Sequence, residues 1–211
     1  MNEQTDDVKD SAKAAIESND IREKIKQITL TALTQRQFDK ESIKQVVSSV
    51  IGGVAEGVGD SAERMKPQIT EALSGIDDAL SKTAMATKFA AQEAATTIET
   101  FTKQDLNKMT EQLNSLEDLF IESINNVATQ SSELTSKVLT ELSGHLKNSG
   151  TQVGKEALEA VRSLKNIAFD VGKGTVDEIA TATKTAGDQF AHVVGGVLSG
   201  VADAIQPKKK G

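Results

Sequence analysis

An apolar stripe with an eleven-residue repeat, near the C-terminal end, constrains the fold of this chain most strongly. Between residues 164 and 204 the stripe positions follow one another at steps of 4, 3 and 4 residues; none carries a charge and only Thr175 is polar. The positions that recur every eleven residues are Ala168, Ile179, Phe190 and Val201. Eleven residues in three turns favour a straight or slightly right-handed helical seam. We therefore expect one long helix over about residues 151–206, ended by Pro207.

We interpret this stripe as a candidate association surface. Its members are Leu164, Ala168, Val171, Ile179, Phe190, Val193, Val197 and Val201. A long helix is marginally stable in water unless its apolar stripe is buried. A stripe of Ala, Val and Thr with one Phe fits a slender helical bundle, and it fits reversible adsorption to a surface equally well. The energetics of burial do not choose between these alternatives.

Two other long segments show the same helical period. The first covers about residues 61–101, and its apolar face carries Met65, Ile69, Ala72, Ile76, Leu80, Thr83, Thr87, Ala90, Ala94, Ile98 and Phe101. The second covers about 103–147, with a face of Leu106, Met109, Leu113, Leu116, Phe120, Ile124, Val127, Ser131, Leu134, Val138 and Leu142. The short connections between long helices favour antiparallel neighbours. We expect an all-α fold, an elongated antiparallel bundle of about three long helices.

Shorter helices precede these segments. Residues 1–38 are predicted to form short N-terminal helices, with Asn19 as the N-cap of the second, and residues 39–211 to form the long-helix bundle. Asp39 is the expected N-cap of a helix over about 40–58. Residues 207–211 form a basic tail with three lysines.

Two glycine-containing segments resemble each other. Residues 46–58 read VVSSVIGGVAEGV, and residues 193–205 read VVGGVLSGVADAI. Each holds two glycines four residues apart, Gly53 with Gly57 and Gly196 with Gly200. Small residues at this spacing form a flat strip that lets another surface approach closely. Two alternatives follow: the segments pack within the chain, or they form a face for self-association or for a membrane surface.

The composition argues against catalysis. The chain has no Cys, which removes thiolate metal sites and cysteine nucleophiles. It has no Trp or Tyr, and its net charge of −7 disfavours nucleic-acid binding. Glu141 stands four residues before His145, as Asp188 does before His192, and this spacing does not match the Glu-x-x-His pattern of carboxylate-bundle metal sites. We expect no enzyme activity, no cofactor and no metal.

The chain shows no targeting signal that we recognise. Its start, MNEQTDD, has neither a basic nor an apolar region of a secretory leader. No run of apolar residues reaches the length of a transmembrane span. We expect a cytoplasmic protein, with peripheral association to a membrane or granule surface as part of the leading hypothesis.

The C-terminal residues resemble known surface-coating proteins. Lys184-Thr185-Ala186-Gly187, followed by HVVGGVLSGVADAIQ at 192–206, resembles the eleven-residue repeats of synucleins and the amphipathic helices of exchangeable apolipoproteins. The long Ala/Thr/Ser-rich helices resemble phasins, which coat polyhydroxyalkanoate granules. Residues 21–57 are similar to an uncharacterised bacterial all-helical family. These resemblances imply a coating or scaffolding role without catalysis, and they assign no functional residues.

Three hypotheses follow. The leading one is a non-enzymatic helical protein that self-associates, as a homo-oligomer, and coats a lipid or polymer granule surface through its amphipathic helices. The second is a coiled-coil scaffold or filament subunit with protein partners only. The third is a stress-protective protein that folds conditionally.

Overall fold

A computed structural model describes residues 3–36, 38–59, 62–96 and 103–171. These residues form helices without any β-strand. The helices are α1 (Glu3–Ala15), α2 (Ile21–Thr34), α3 (Lys40–Gly57), α4 (Ala62–Thr96), α5 (Lys103–Ala128), α6 (Glu133–Ser149) and α7 (Gln152–Val171). The all-α prediction is confirmed for this part of the chain.

Helix α4 is the longest described element and forms the centre of the fold. Its sequence stripe is buried from Met65 to Ala90, and each of these stripe side chains is at most 2% exposed. Helices α2 and α7 pack along it, and α3, α5 and α6 also contact it. The buried face changes character along its length, because Ile and Leu before Leu80 give way to Ala and Thr after it. Side chains this small let neighbouring helices approach closely but bury less apolar surface.

The N-terminal helices share this core. Ala12 and Ile16 at the end of α1, and Ile25 and Leu30 in α2, are buried in one cluster with residues of α3 to α7. Helix α1 packs mainly on α3, and α2 packs mainly on α4. Arg22 at the start of α2 also donates two hydrogen bonds to the Asp78 carboxylate, at 2.7 and 3.0 Å. Residues 3–36 are therefore built into the bundle.

The caps of α2 and α3 differ from each other. Asp39 is the N-cap of α3, as predicted, and its carboxylate accepts a hydrogen bond from Ser42 N at 2.9 Å. The N-cap of α2 is Asp20 rather than Asn19, and its side chain makes no capping bond. The chain turns at residues 16–20, so the first helical residue is Ile21.

The prediction of one helix over 103–147 is wrong. Helix α5 ends at Ala128, and α6 begins at Glu133 after a four-residue turn. Ser132 caps α6, because its hydroxyl lies 3.5 Å from Thr135 N and donates to Thr135 Oγ1 at 3.0 Å. A serine side chain that bonds the backbone in this way competes with continued helix.

The break also shifts the buried face. In α6 the buried residues are Thr135, Leu139 and Ser143, one position after the residues that the uninterrupted stripe predicts. Leu134, a predicted core residue, is 39% exposed. Val138 and Leu142 are only partly buried. The helical period thus persists across the turn, but its phase does not.

Candidate association site

The structure describes only the beginning of the predicted association stripe. Leu164 lies in α7 and is 1% exposed, buried within this chain. Ala168 and Val171 belong to the backbone of α7, but their side chains lie outside the described residues. The remaining stripe and glycine residues also lie outside them: Ile179, Phe190, Val193, Gly196, Val197, Gly200 and Val201.

The stripe extends further upstream than the sequence pattern suggested. Val153, Ala157 and Ala160 precede Leu164 at steps of 4, 3 and 4 residues, which is the spacing of the stripe itself. All four side chains are at most 4% exposed. They lie on the face that α7 packs against α4 and α5. One continuous stripe therefore begins as core and continues into the predicted association surface.

Helix α7 runs parallel to α4. Lys88 Nζ pairs with Glu159 Oε1 at 2.5 Å, and Gln92 Nε2 donates to Ser163 Oγ at 3.1 Å. Both pairs are separated by 71 residues, so the two helices advance together. The same register places Ile167 beside Thr96, the last residue of α4.

Helix α5 runs back along α4. Asp77 of α4 and Glu117 of α5 lie at the same level, because both contact the start of α7. Seven residue steps join Thr96 to Lys103, and they span about 25 Å at most. If α5 ran parallel to α4, this connection would have to cover roughly 50 Å of helix rise. The two helices are therefore antiparallel.

The N-terminus of α7 is held by carboxylates from two other helices, an arrangement that we call the carboxylate latch. Glu117 Oε1 accepts from Thr151 N at 3.0 Å and from Thr151 Oγ1 at 2.7 Å. Asp77 accepts from Gln152 N at 2.9 Å and from Val153 N at 2.8 Å. Thr151 Oγ1 in turn accepts from Gly154 N at 2.9 Å. The latch thus satisfies backbone donors that a helix start leaves without partners.

Negative charge is concentrated at the latch. Burial raises the pKa of the Asp77 carboxyl above its usual range, although the backbone N–H groups of Val153 and Gln152 oppose this shift. The charges of Asp78 and Glu117 raise this pKa further. Asp78 is paired with Arg22, which neutralises part of the cluster. Asp77 itself is held by backbone dipoles, whose positive end at a helix start favours a carboxylate.

The sequence pattern did not predict the latch. Neither Asp77 nor Glu117 lies on a predicted apolar stripe, so the pattern assigned them no role. A usable signal exists, because α7 has no acidic residue in its first turn, unlike α2, α3, α4 and α6. When a helix has no acidic residue in its first turn, acidic side chains from other parts of the chain can stabilise the positive end of its dipole. Which residues do so depends on tertiary structure.

The first glycine pair packs within the chain. A Cβ atom at Gly53 would collide with the backbone carbonyl oxygen of Lys9, and a Cβ at Gly57 would lie 2.7 Å from Lys13 O. Both carbonyls belong to α1, so the glycines let α1 lie directly on α3. Lys9 and Glu56 add an exposed ion pair at 2.6 Å along the same seam. In this segment the close surface is another helix of the same molecule.

Few large apolar side chains reach the surface of the described residues. Met85 and Phe89 are exposed one turn apart on α4, and Leu158 is exposed on α7. Phe89 is half exposed, with Lys88 Nζ 5.9 Å from its ring centre. None of the described helices combines the length and apolarity needed to cross a bilayer.

The described residues contain no cluster of His and carboxylate side chains arranged to hold a metal ion. His145 is exposed on α6, and Glu141 pairs with Lys66 at 2.7 Å. His192 lies outside the described residues.

The comparisons with known proteins place the chain in a family. No curated protein and no solved structure matches it significantly. A model of a family of unknown function, DUF6781, matches residues 1–207, which is nearly the whole chain. The chain therefore belongs to the DUF6781 family.

Proposed function

We propose that this protein is a non-enzymatic association protein, in which the described bundle carries a C-terminal amphipathic segment that self-associates and coats a lipid or polymer granule surface. In this proposal the third long helix covers about residues 151–206, as the sequence pattern predicts. The register between α4 and α7 supports it most directly. Thr96, the last described residue of α4, lies at the level of Ile167, whereas the stripe continues in the sequence to residue 204.

Helices α4 and α5 supply the partners of the described part of the stripe. Within the described residues, each buried stripe position of α7 lies along α4 and α5. Residues 97–102 join α4 to α5, and six residues are too few for these helices to cover the rest of the stripe, which continues 37 positions past Ile167 in the sequence. An uncharged stripe of more than thirty residues then needs another apolar surface. A second copy or a lipid or polymer surface provides one.

A protein-only scaffold is the second candidate, and the glycine pair in α3 favours it. Gly53 and Gly57 receive a helix at backbone contact distance in this molecule. Gly196 and Gly200 have the same spacing and a similar sequence context. A helix from a partner chain therefore fits this second strip by the same geometry.

Charge substitutions on and off the stripe test the proposal. Val197→Glu puts a carboxylate on the stripe, so we expect it to abolish self-association of the full chain in sedimentation velocity. Ser199→Glu adds the same charge about 200° away around the helix and should leave the oligomer intact. If the mass of the Val197→Glu variant is unchanged, the stripe is not the association surface.

Co-sedimentation distinguishes the two candidates. We expect the unmodified chain to bind anionic liposomes or polymer granules and the Val197→Glu variant to lose this binding. Association without any binding to vesicles or granules would favour the protein scaffold.

A further inference from the structure

The buried face of α7 and the candidate association stripe belong to one continuous pattern of apolar residues in the sequence. Val153, Ala157, Ala160 and Leu164 have the same 4-3-4 spacing as the residues that follow them. In the described structure they cover α4 and α5. A partner surface that binds the stripe beyond Val171 therefore also fits the buried face of α7, because the two have the same spacing.

The apolar seam of α7 is weaker than that of its neighbour α5. Two of its four stripe positions are Ala, and Gly154 lies on the same buried side. The stripe of α5, in contrast, consists of Leu, Met, Phe and Ile side chains. Since hydrophobic stabilisation scales with the apolar area removed from water, α7 gains less per turn than α5 does.

The polar contacts of α7 are concentrated at its start. The carboxylate latch holds residues 151–153 with four hydrogen bonds. Further along, the contacts to α4 include the exposed Lys88–Glu159 pair and the exposed Gln92–Ser163 bond. Exposed pairs of this kind contribute little to stability. The latch is therefore a strong polar attachment at the start of this helix.

The joint before α7 is a glycine in open surroundings. Gly150 has a φ of +74°, and a Cβ atom placed there would meet no atom within 4 Å. Helix α6 is attached separately, because Thr135 Oγ1 contacts Met65 Sδ at 3.8 Å and Lys66 pairs with Glu141. A rotation at Gly150 therefore moves α7 without disturbing the attachment of α6.

We propose that α7 is a releasable helix, held on the bundle by the carboxylate latch and hinged at Gly150. Release extends the association stripe upstream from Leu164 to Val153. Docking of α7 on the bundle then competes with association, so the latch sets how much stripe is available. This inference rests on the proposed function for its purpose, but the release itself is a property of the bundle.

Hydrogen exchange of the full chain tests the release. Asp77→Ala removes two of the latch bonds, and Gly154→Ala places a Cβ 2.5 Å from Glu117 Oε2. The control is Gly144→Ala on α6, where an added Cβ meets no atom within 4 Å. We expect both latch variants to speed exchange of the amides of α7 about tenfold, the effect of losing a helix cap.

The rest of the molecule is the internal reference. Exchange in α1 and α3 should remain within about twofold of the unmodified chain, because in the described structure these helices do not pack on α7. The control variant should leave α7 unchanged. Equal acceleration in all helices, or no acceleration in α7, would overturn the proposal.

Sedimentation of the same variants separates this inference from the proposed function. We expect the two latch variants to associate at lower concentration than the Gly144→Ala control. If the latch variants speed exchange selectively in α7 but the Val197→Glu variant still associates, the stripe is not the association surface. The releasable helix is then supported. Loss of association in Val197→Glu without selective exchange would refute the releasable helix alone.

Discussion

At the scale of single residues, two adjacent glycines in α3 have opposite surroundings. Gly53 faces the backbone of α1, where an added Cβ would collide with Lys9 O. Gly52 is its neighbour, and a Cβ there would make an ordinary 3.7 Å contact with Lys9 Cε. The pair separates the effect of close packing from that of helix propensity.

We expect Gly53→Ala to destabilise the fold by about 1 to 3 kcal/mol, because α1 must move away from α3. Gly52→Ala should instead stabilise it by up to about 1 kcal/mol, since Ala is the better helix former. Thermal unfolding followed by circular dichroism measures both. Equal effects of the two substitutions would show that α1 does not lie on Gly53.

Asp77 gives the stability of the protein a specific pH dependence. Its pKa is raised in the folded state above the ordinary value of 3.8, so the folded protein binds this proton more tightly than the unfolded chain does. The contribution of Asp77 to stability is therefore largest below pH 3.8 and is lost as the pH rises through the folded pKa. The exposed carboxylates Glu122, Glu141 and Glu159 act in the opposite direction, because their lysine partners lower their pKa values.

The difference between Asp77→Asn and the unmodified chain isolates this residue. We expect the Tm of Asp77→Asn minus the Tm of the unmodified protein to increase as the pH rises from about 3 to about 6. Any constant offset reflects the lost hydrogen bond to α7, since an amide oxygen can replace only one of the two acceptors. A difference that is flat or falls with pH would show that burial does not raise this pKa.

At the scale of helices, the phase shift between α5 and α6 is the clearest case in which sequence and structure disagree. The uninterrupted stripe predicts Leu134 as a core residue and does not include Leu139. The structure buries Leu139 completely and leaves Leu134 39% exposed. The turn at residues 129–132 is responsible, because it restarts the helix at a new rotation.

A matched pair of leucines tests this assignment. We expect Leu139→Ala to cost about 2 to 5 kcal/mol, the usual range for a buried leucine. Leu134→Ala should cost less, about 1 kcal/mol, because Leu134 is already 39% exposed and its truncation leaves a smaller cavity. Chemical denaturation measures both values. If Leu134→Ala cost more than Leu139→Ala, the result would support the continuous helix that the stripe predicts.

Periodicity predicted most helices because they have one strongly buried face. The stripe of α4 is buried at each described position from Met65 to Ala90, and Asp39 caps α3 as expected. The break at Ser132 was missed because serine also occurs inside helices, so its capping geometry is not visible in the spacing. The shift from Asn19 to Asp20 has a similar origin, since both residue types cap helices equally well.

At the scale of the whole molecule, prediction was limited by contacts between residues distant in sequence. The carboxylate latch joins α7 to positions 34 to 76 residues earlier. Helical spacing reports which face of a helix is apolar, but it does not report which helix covers that face. The parallel packing of α7 on α4, and the upstream extension of the stripe to Val153, therefore required the structure.

The parallel packing of α7 on α4 has a consequence for the order of events during synthesis. Helix α4 is complete when residue 96 has been made, but the residues that cover its Ala-rich half follow 71 positions later. Contacts between residues so far apart in sequence form late, because the entropy of closing a long loop is lost before the contacts can stabilise the fold. A growing chain thus passes through a stage in which this half of α4 is uncovered. The scarcity of large apolar side chains on the buried face of this half weakens its packing, but it also protects the growing chain against premature aggregation.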